Sequence, residues 1–407
     1  MRWLRILYLS SGLCFGALYG FMPVLLRSKG FEPALIGLAT SLGAVGYSIA
    51  LPAWGHMGDI VSGPRRTLQM ACIPAALFAV GLAAPLPVFG VILCVVVISA
   101  GAGPALALTD AMAVPALSDA SRQYSGLRLI ASLGGAGSSV ACGLLYSQTG
   151  YAVAPLVFVA AMATTVLAAQ FIPFGRDSER RRRAAAGPGR SASGPPHGRL
   201  GSVGEALDGR PRLLATLISI AFVFAGVNAG GTYMSLRISD LGGGPVQVGL
   251  VNGVAAFAEI PGLLLAGWLA WRLGLRRVLA VSSLGLAACL ASWIVLVDPL
   301  AILVTRFASG ICFGGIVVSY VLAMARLLPA RLSATGQTLL QATGFGLAAI
   351  VANLAGGVLY GAAGALGVFG AGAVCAAIGG LIGLVALPAK AGSPFGPAVP
   401  AAASMAG

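Results

Sequence analysis

Apolar runs of about 20 residues or more recur along the chain, parted by short segments that carry most of the charge. A run of that length is what an α-helix needs to cross the hydrocarbon core of a bilayer. The runs are continuous rather than alternating, which excludes an outer-membrane-type barrel. The pattern predicts twelve spans. The first runs from about Arg5 to Leu26, and the others cover roughly 35 to 55, 67 to 84, 88 to 114, 126 to 147, 151 to 172, 213 to 238, 246 to 271, 277 to 297, 299 to 328, 335 to 361 and 365 to 388. MRWLR and the apolar run after it imitate a secretory signal, but the run is too long and lacks a small-residue cleavage site, so it is expected to stay attached as helix 1.

One long loop interrupts this rhythm. Residues 174–212 hold nine arginines in a Gly/Pro/Ser-rich stretch and divide the chain into an N-terminal six-helix bundle (1–173), a basic cytoplasmic linker (174–212), a C-terminal bundle (213–388) and a tail (389–407). The halves repeat. Pro33-Ala-Leu-Ile-Gly37-Leu38 is matched by Pro245-Val-Gln-Val-Gly249-Leu250, and Gly55 by Gly267, at an offset of 212. Gly143-Leu-Leu-Tyr146 with Gly150 is echoed by Gly357-Val-Leu-Tyr360 with Gly364 at an offset of 214. Repeats of six spans place a solute site between the halves near the midplane.

Composition narrows the class. The 407 residues are 58% hydrophobic and 9% charged, with a mean hydropathy of +0.94, outside the range of soluble domains. A formal charge of +14 would suggest nucleic acid in a soluble protein. Here the basic residues lie between apolar runs, where they set topology, so no nucleic-acid partner is expected. Of the 25 Lys and Arg, only Arg27, Lys29 and Arg237 fall in loops opposite the termini, and Arg306 falls inside a span. The positive-inside rule then makes both termini cytoplasmic. The run Arg180 to Arg183 reads most simply as a stop signal and solvated linker. The seven cysteines are scattered singly in apolar segments, as packing residues rather than disulfides or metal ligands.

Between helices 2 and 3 stands Gly55-His-Met-Gly-Asp59-Ile-Val-Ser-Gly-Pro-Arg65-Arg66, which resembles the Gly-x-x-x-Asp…Arg-Arg loop signature of the major facilitator superfamily. A second copy, Gly267 to Arg277, falls between helices 8 and 9, where that superfamily repeats it, with Trp271 at the acidic position. Phe21-Met-Pro23, Thr109-Asp110-Ala-Met-Ala, Gly126-Leu-Arg128-Leu-Ile-Ala-Ser-Leu-Gly134 and Ala258-Glu259-Ile-Pro261 are similar to the branch holding phenylpropionate, nucleoside and lactose-type permeases. The resemblance implies an all-α membrane protein, with twelve transmembrane helices in two pseudo-symmetric bundles working by alternating access. In that fold helices 7, 8, 10 and 11 line the cavity of the second half. Two departures count against drug/proton antiport: helix 5 lacks a Gly-Pro pair, and Val97 stands four residues before Gly101 where those antiporters carry arginine.

Coupling solute movement to a proton gradient requires a group whose protonation changes as the cavity opens to each side in turn. His56 and His197 are both in cytoplasmic loops, which leaves the carboxylates, and of these only Asp110 and Glu259 lie inside spans. An acid in the bilayer core costs about 3 kcal/mol on insertion scales. Glu259, near the middle of the apolar run Val251 to Ala270, must therefore be compensated or used. Arg306 is its expected partner across the cavity, in a solute or proton role or as a static ion pair. Asp110 and Arg128 pair as a cytoplasmic latch or a second proton site. Tyr47, which the repeat places opposite Glu259, and Asn252, Asn228, Tyr233, Tyr19 and Gln341 are further cavity candidates, interhelical hydrogen bonding being the alternative for each. Gly55, Asp59, Arg65, Arg66 and Arg128 are expected to form the cytoplasmic gate, so that the first half supplies the gate and the second the charge. Trp54, Trp268 and Trp271 mark an interfacial belt.

The functional expectation is a secondary transporter for a small organic solute. It takes no cofactor or metal, is monomeric, sits in a bacterial inner membrane, and is driven by proton symport. Sodium is the alternative coupling ion, a proton-antiport exporter the alternative transporter, and a non-transporting scaffold the alternative outside that class. No phosphate-binding loop, nucleophile–base pair or metal-ligand spacing points to an enzyme.

Overall fold

The computed structural model describes residues 2–103, 105–113, 120–172, 207–329 and 332–388, with the side chains of 59, 60, 120–125, 333 and 334 outside that description. The basic linker falls almost wholly outside it, as does the tail. The expected span boundaries agree with the helices to within a few residues, the largest shift being at the start of α5. Here α1 is Arg2–Ser28, α2 is Pro33–His56, α3 is Gly63–Ala83, and α4 comprises Val88–Ala102 and Ala105–Ala113 on either side of residue 104. The first half closes with α5, Ala120–Thr149, and α6, Ala154–Gln170. In the second half α7 is Pro211–Asp240, α8 is Pro245–Leu273, α9 is Leu275–Val295 and α10 is Pro299–Leu327. The last two, α11 over 333–362 and α12 over 365–386, run on as one helix except at Ala363 and Gly364, where the backbone leaves helical geometry. Gly364 has φ +55 and ψ −139, a combination that favours glycine and lets the chain reverse with no longer loop.

Prolines open α2, α6, α7, α8 and α10 in their first turns, where a missing N–H costs nothing and the fixed φ suits a helix. Asp298 caps α10 by accepting from the Ala301 N–H at 2.8 Å. Three helices contain wider, π-type turns: Phe15–Tyr19 in α1, Met57–Val61 after α2 and Ala342–Leu347 in α11. Such turns free backbone carbonyls, and Asn228 of α7 donates to one of them, Gly344, at 3.3 Å.

The halves meet through two crossed helix pairs, α2 with α11 and α5 with α8. A Cβ built on Gly357 would lie 2.6 Å from the Pro33 carbonyl and 2.9 Å from the Gly37 Cα. One on Gly143 would lie 2.7 Å from the Pro245 carbonyl and 3.1 Å from the Gly249 Cα. The two contacts are copies of each other under the repeat, and glycine is required because backbones touch there.

Candidate functional site

Two clusters of polar side chains lie on the surfaces where the halves face each other. The outer one, at the end opposite the termini, seals the molecule. Arg27 at the end of α1 is paired with one carboxylate oxygen of Asp240 on α7, and Tyr360 of α11 donates to the other. Just inside, the Gly20 carbonyl of α1 accepts from Ser235 at 2.7 Å and from Asn252 at 3.0 Å, while Asn252 also donates to Ser235 at 3.2 Å. Ser41 of α2 donates to the Ile350 carbonyl at 2.9 Å. Every one of these hydrogen bonds between the halves lies in the outer half of its helices. The structure is therefore a state closed at the face away from the termini.

The inner cluster is built on α1, α4 and α5. Asp110 accepts a hydrogen bond from the Tyr8 hydroxyl at 2.5 Å and pairs with the Arg128 guanidinium at 3.4 Å. Glu259 lies half-buried on α8 of the opposite half. Arg128 reaches Asp110 because it enters α5 near the inner end, where its long stem extends toward mid-membrane. Its side chain is 45% exposed, against 25% for that of Asp110.

The remaining expectations divide. Arg306 does not pair with Glu259. It is 8% exposed, lies 5.3 Å over the Trp293 ring, and donates through Nε to the Val251 carbonyl at 3.3 Å. Depth along α10 suggested the pairing, but rotation about the helix axis turns the side chain toward α8 and α9. Asn252 is a seam residue, and so is Tyr233, which is fully buried, donates to the Asn353 carbonyl and stacks on Tyr360 at 5.6 Å. Asn228 serves the wide turn of α11. Tyr47 packs its ring against Gly103 of α4, and the Tyr19 hydroxyl is buried without a hydrogen-bond partner among the described residues. Gln341 is exposed.

The gate candidates also move. Arg65 donates to the Ile172 carbonyl at the end of α6, tying α3 to α6 inside one half instead of bridging the halves. The second half repeats this clamp: Arg276 of α9 donates to the Leu387 carbonyl, just past α12, at 2.5 Å. Arg66 is exposed and Gly55 lines a small cavity of about 190 Å³ beside α4. The side chain of Asp59 lies outside the described residues. The charge is not confined to the second half, since Asp110 and Arg128 come from the first. Trp268 and Trp271 are half-exposed, as an interfacial belt requires, with Arg272 lying 4.5 Å over the Trp268 ring. Trp54 instead turns its indole N–H to the Ala100 carbonyl at 2.9 Å.

Sequence reasoning missed Tyr8, whose hydroxyl has no signature among the apolar residues of α1, and the Arg27–Asp240–Tyr360 latch, whose members come from three helices. For the latch, the acid at the end of α7 and the lone arginine at the end of α1 were available signals.

The profile of the MFS_1 like family matches residues 1–371. The chain is 31% identical over 353 residues to a maltose permease of Geobacillus stearothermophilus, covering 85% of this chain and 84% of that one. Among solved structures, the nucleoside transporter NupG (D323A mutant) superposes with a TM-score of 0.80 at 13% identity over 95% of this chain and 99% of its own. A D-xylose-proton symporter gives 0.71 at 13% identity over 95% and 98%. At those identities the two structures establish a shared fold.

Proposed function

The chain belongs to the MFS_1 like family of major facilitator transporters, a multi-pass membrane protein that moves a small solute, and from that membership we propose proton-coupled import of a small, neutral, polyhydroxylated solute. The observation that carries the reading is the Tyr8–Asp110–Arg128 cluster of the first half, which Glu259 of α8 completes in this reading. A guanidinium offers planar donors and two carboxylates offer acceptors, which suits vicinal hydroxyls on a sugar-like ring. The maltose permease relative points to the same class.

The charge balance supplies the coupling. With all three groups ionised, two carboxylates against one guanidinium leave the cluster at −1. Closing it away from water in that form is costly, and one added proton makes it neutral. A neutral solute brings no charge of its own, so loaded and sealed means protonated. In this reading solute and proton are released on the termini side, from the state closed at the outer face. The termini lie in the cytoplasm, on the side carrying most of the basic residues, and the membrane is a bacterial inner membrane. The protein works as a monomer, since each half already seals against the other within one chain, and needs no cofactor besides the gradient.

The test is uptake of radiolabelled maltose, xylose and uridine into proteoliposomes with an acidic exterior. One of these should accumulate above its external concentration, and collapse of the pH gradient should abolish that accumulation. A sodium gradient that drives uptake with the pH gradient clamped would contradict the proton assignment.

A further inference from the structure

Arg306 is the buried cation that the reading above leaves without a task. It lies seven residues into α10 from Pro299, about 10 Å down the helix, and is 8% exposed. Both ion pairs of the described residues lie elsewhere. A group this costly to bury would be replaced by an apolar residue if filling space were its task.

Its contacts all bear on α8 and α9. Nε donates to the Val251 carbonyl of α8 at 3.3 Å, and the guanidinium lies over Trp293 of α9 at 5.3 Å. That ring is oriented in turn, because its indole N–H is held by Thr305, the neighbour of Arg306, at 2.9 Å. Below Arg306, at four-residue spacing, Gly310 and Gly314 seat the same face of α10 on α8. A Cβ on Gly310 would come within 2.8 Å of Ala258, and one on Gly314 within 2.5 Å of the Gly262 backbone. Glu259 lies between these two contact points. The glycines allow close approach but no fixed rotation, since a flat face slides. The Arg306 bond to one carbonyl supplies the register.

We propose that Arg306 is a positioning residue, which fixes the depth and rotation of α8 and thereby sets where Glu259 stands on that helix. The inference rests on the reading of Glu259 as the coupling acid. Its role runs through the α8 backbone: about 12 Å of helix separates residues 251 and 259.

The experiment measures Glu259 itself, without any solute. Wild type, Arg306→Met and Arg306→Lys are reconstituted, treated with dicyclohexylcarbodiimide at one fixed pH, and the rates of modification at Glu259 and Asp110 are read by peptide mass. In Arg306→Met the Glu259 rate is expected to change by about threefold or more relative to that of Asp110. Lysine, a donor and cation on a shorter reach, is expected to restore part of the wild-type ratio. An unchanged ratio in Arg306→Met, or rates at both acids that change together as in general loosening, would overturn the proposal. If Arg306→Met does not fold, Trp293→Phe is read in the same way. Sugar uptake by Glu259→Gln keeps the two claims apart. A fully coupled Glu259→Gln sinks the coupling assignment whatever Arg306 does, and an uncoupled one with an unchanged ratio sinks only this inference.

Discussion

Tyr8, Asp110, Arg128 and Glu259 come from four helices and two halves, and the proposed mechanism gives each a separable task. Tyr8 holds the Asp110 carboxylate at 2.5 Å, so Tyr8→Phe removes one hydrogen bond and leaves the ring in place. The loss of about 1 kcal/mol corresponds to roughly a fivefold rise in KM for uptake, and an unchanged KM would show that Asp110 is oriented by Arg128 alone. Asp110 and Glu259 were legible in the sequence because acids inside apolar runs are expensive. The pairing of Arg128 with Asp110 was legible from their shared depth near the inner end, and the structure has that pair at 3.4 Å. The misreading of Arg306 has a plain origin: counting residues from a helix end gives depth, whereas its partner is set by rotation, which no single run of sequence fixes.

At the scale of elements the repeat became a mechanism. The motifs found at offsets 212 and 214 are the two glycine contacts, Gly37 on Gly357 and Gly249 on Gly143, by which α2 meets α11 and α5 meets α8. Tryptophan at Gly37 or Gly249 cannot be accommodated against a backbone at van der Waals distance, and holds the outer face open. Spin labels at the outer ends of α1 and α7 should then move apart, and an unaltered distance would show that the contact is not the closing surface. The arginine clamps are the other repeated device. Arg65→Ala and Arg276→Ala each remove a charged hydrogen bond to a carbonyl at a helix end, with an expected loss of about 2 kcal/mol. That loss reads as a lowered Tm, with the solute KM unchanged because neither clamp crosses between halves. The loop signature was plain in the sequence; which helix end the arginines held was not, because Ile172 and Leu387 lie more than a hundred residues away.

Over the whole molecule, two bundles rock about a site whose outer end is latched by Arg27, Asp240 and Tyr360. Asp240→Asn keeps the shape and drops the charge, so the latch weakens and the outward-open population rises. The spin-label distance reports this as a larger fraction of the long separation, and a distribution like the wild type's would place closure in the glycine contacts alone. The architecture was the most legible level, since the period of the apolar runs and the repeat fixed both the number of spans and their pairing into halves. Transport by net charge balance is the central claim, and its sharpest test is stoichiometry. Proton and solute fluxes measured together in proteoliposomes, using whichever sugar accumulates, should give a 1:1 ratio, as one proton neutralises the −1 cluster. Glu259→Gln, neutral from the outset, should still exchange solute but carry no proton with it. A 1:1 ratio that survives in Glu259→Gln would contradict the account.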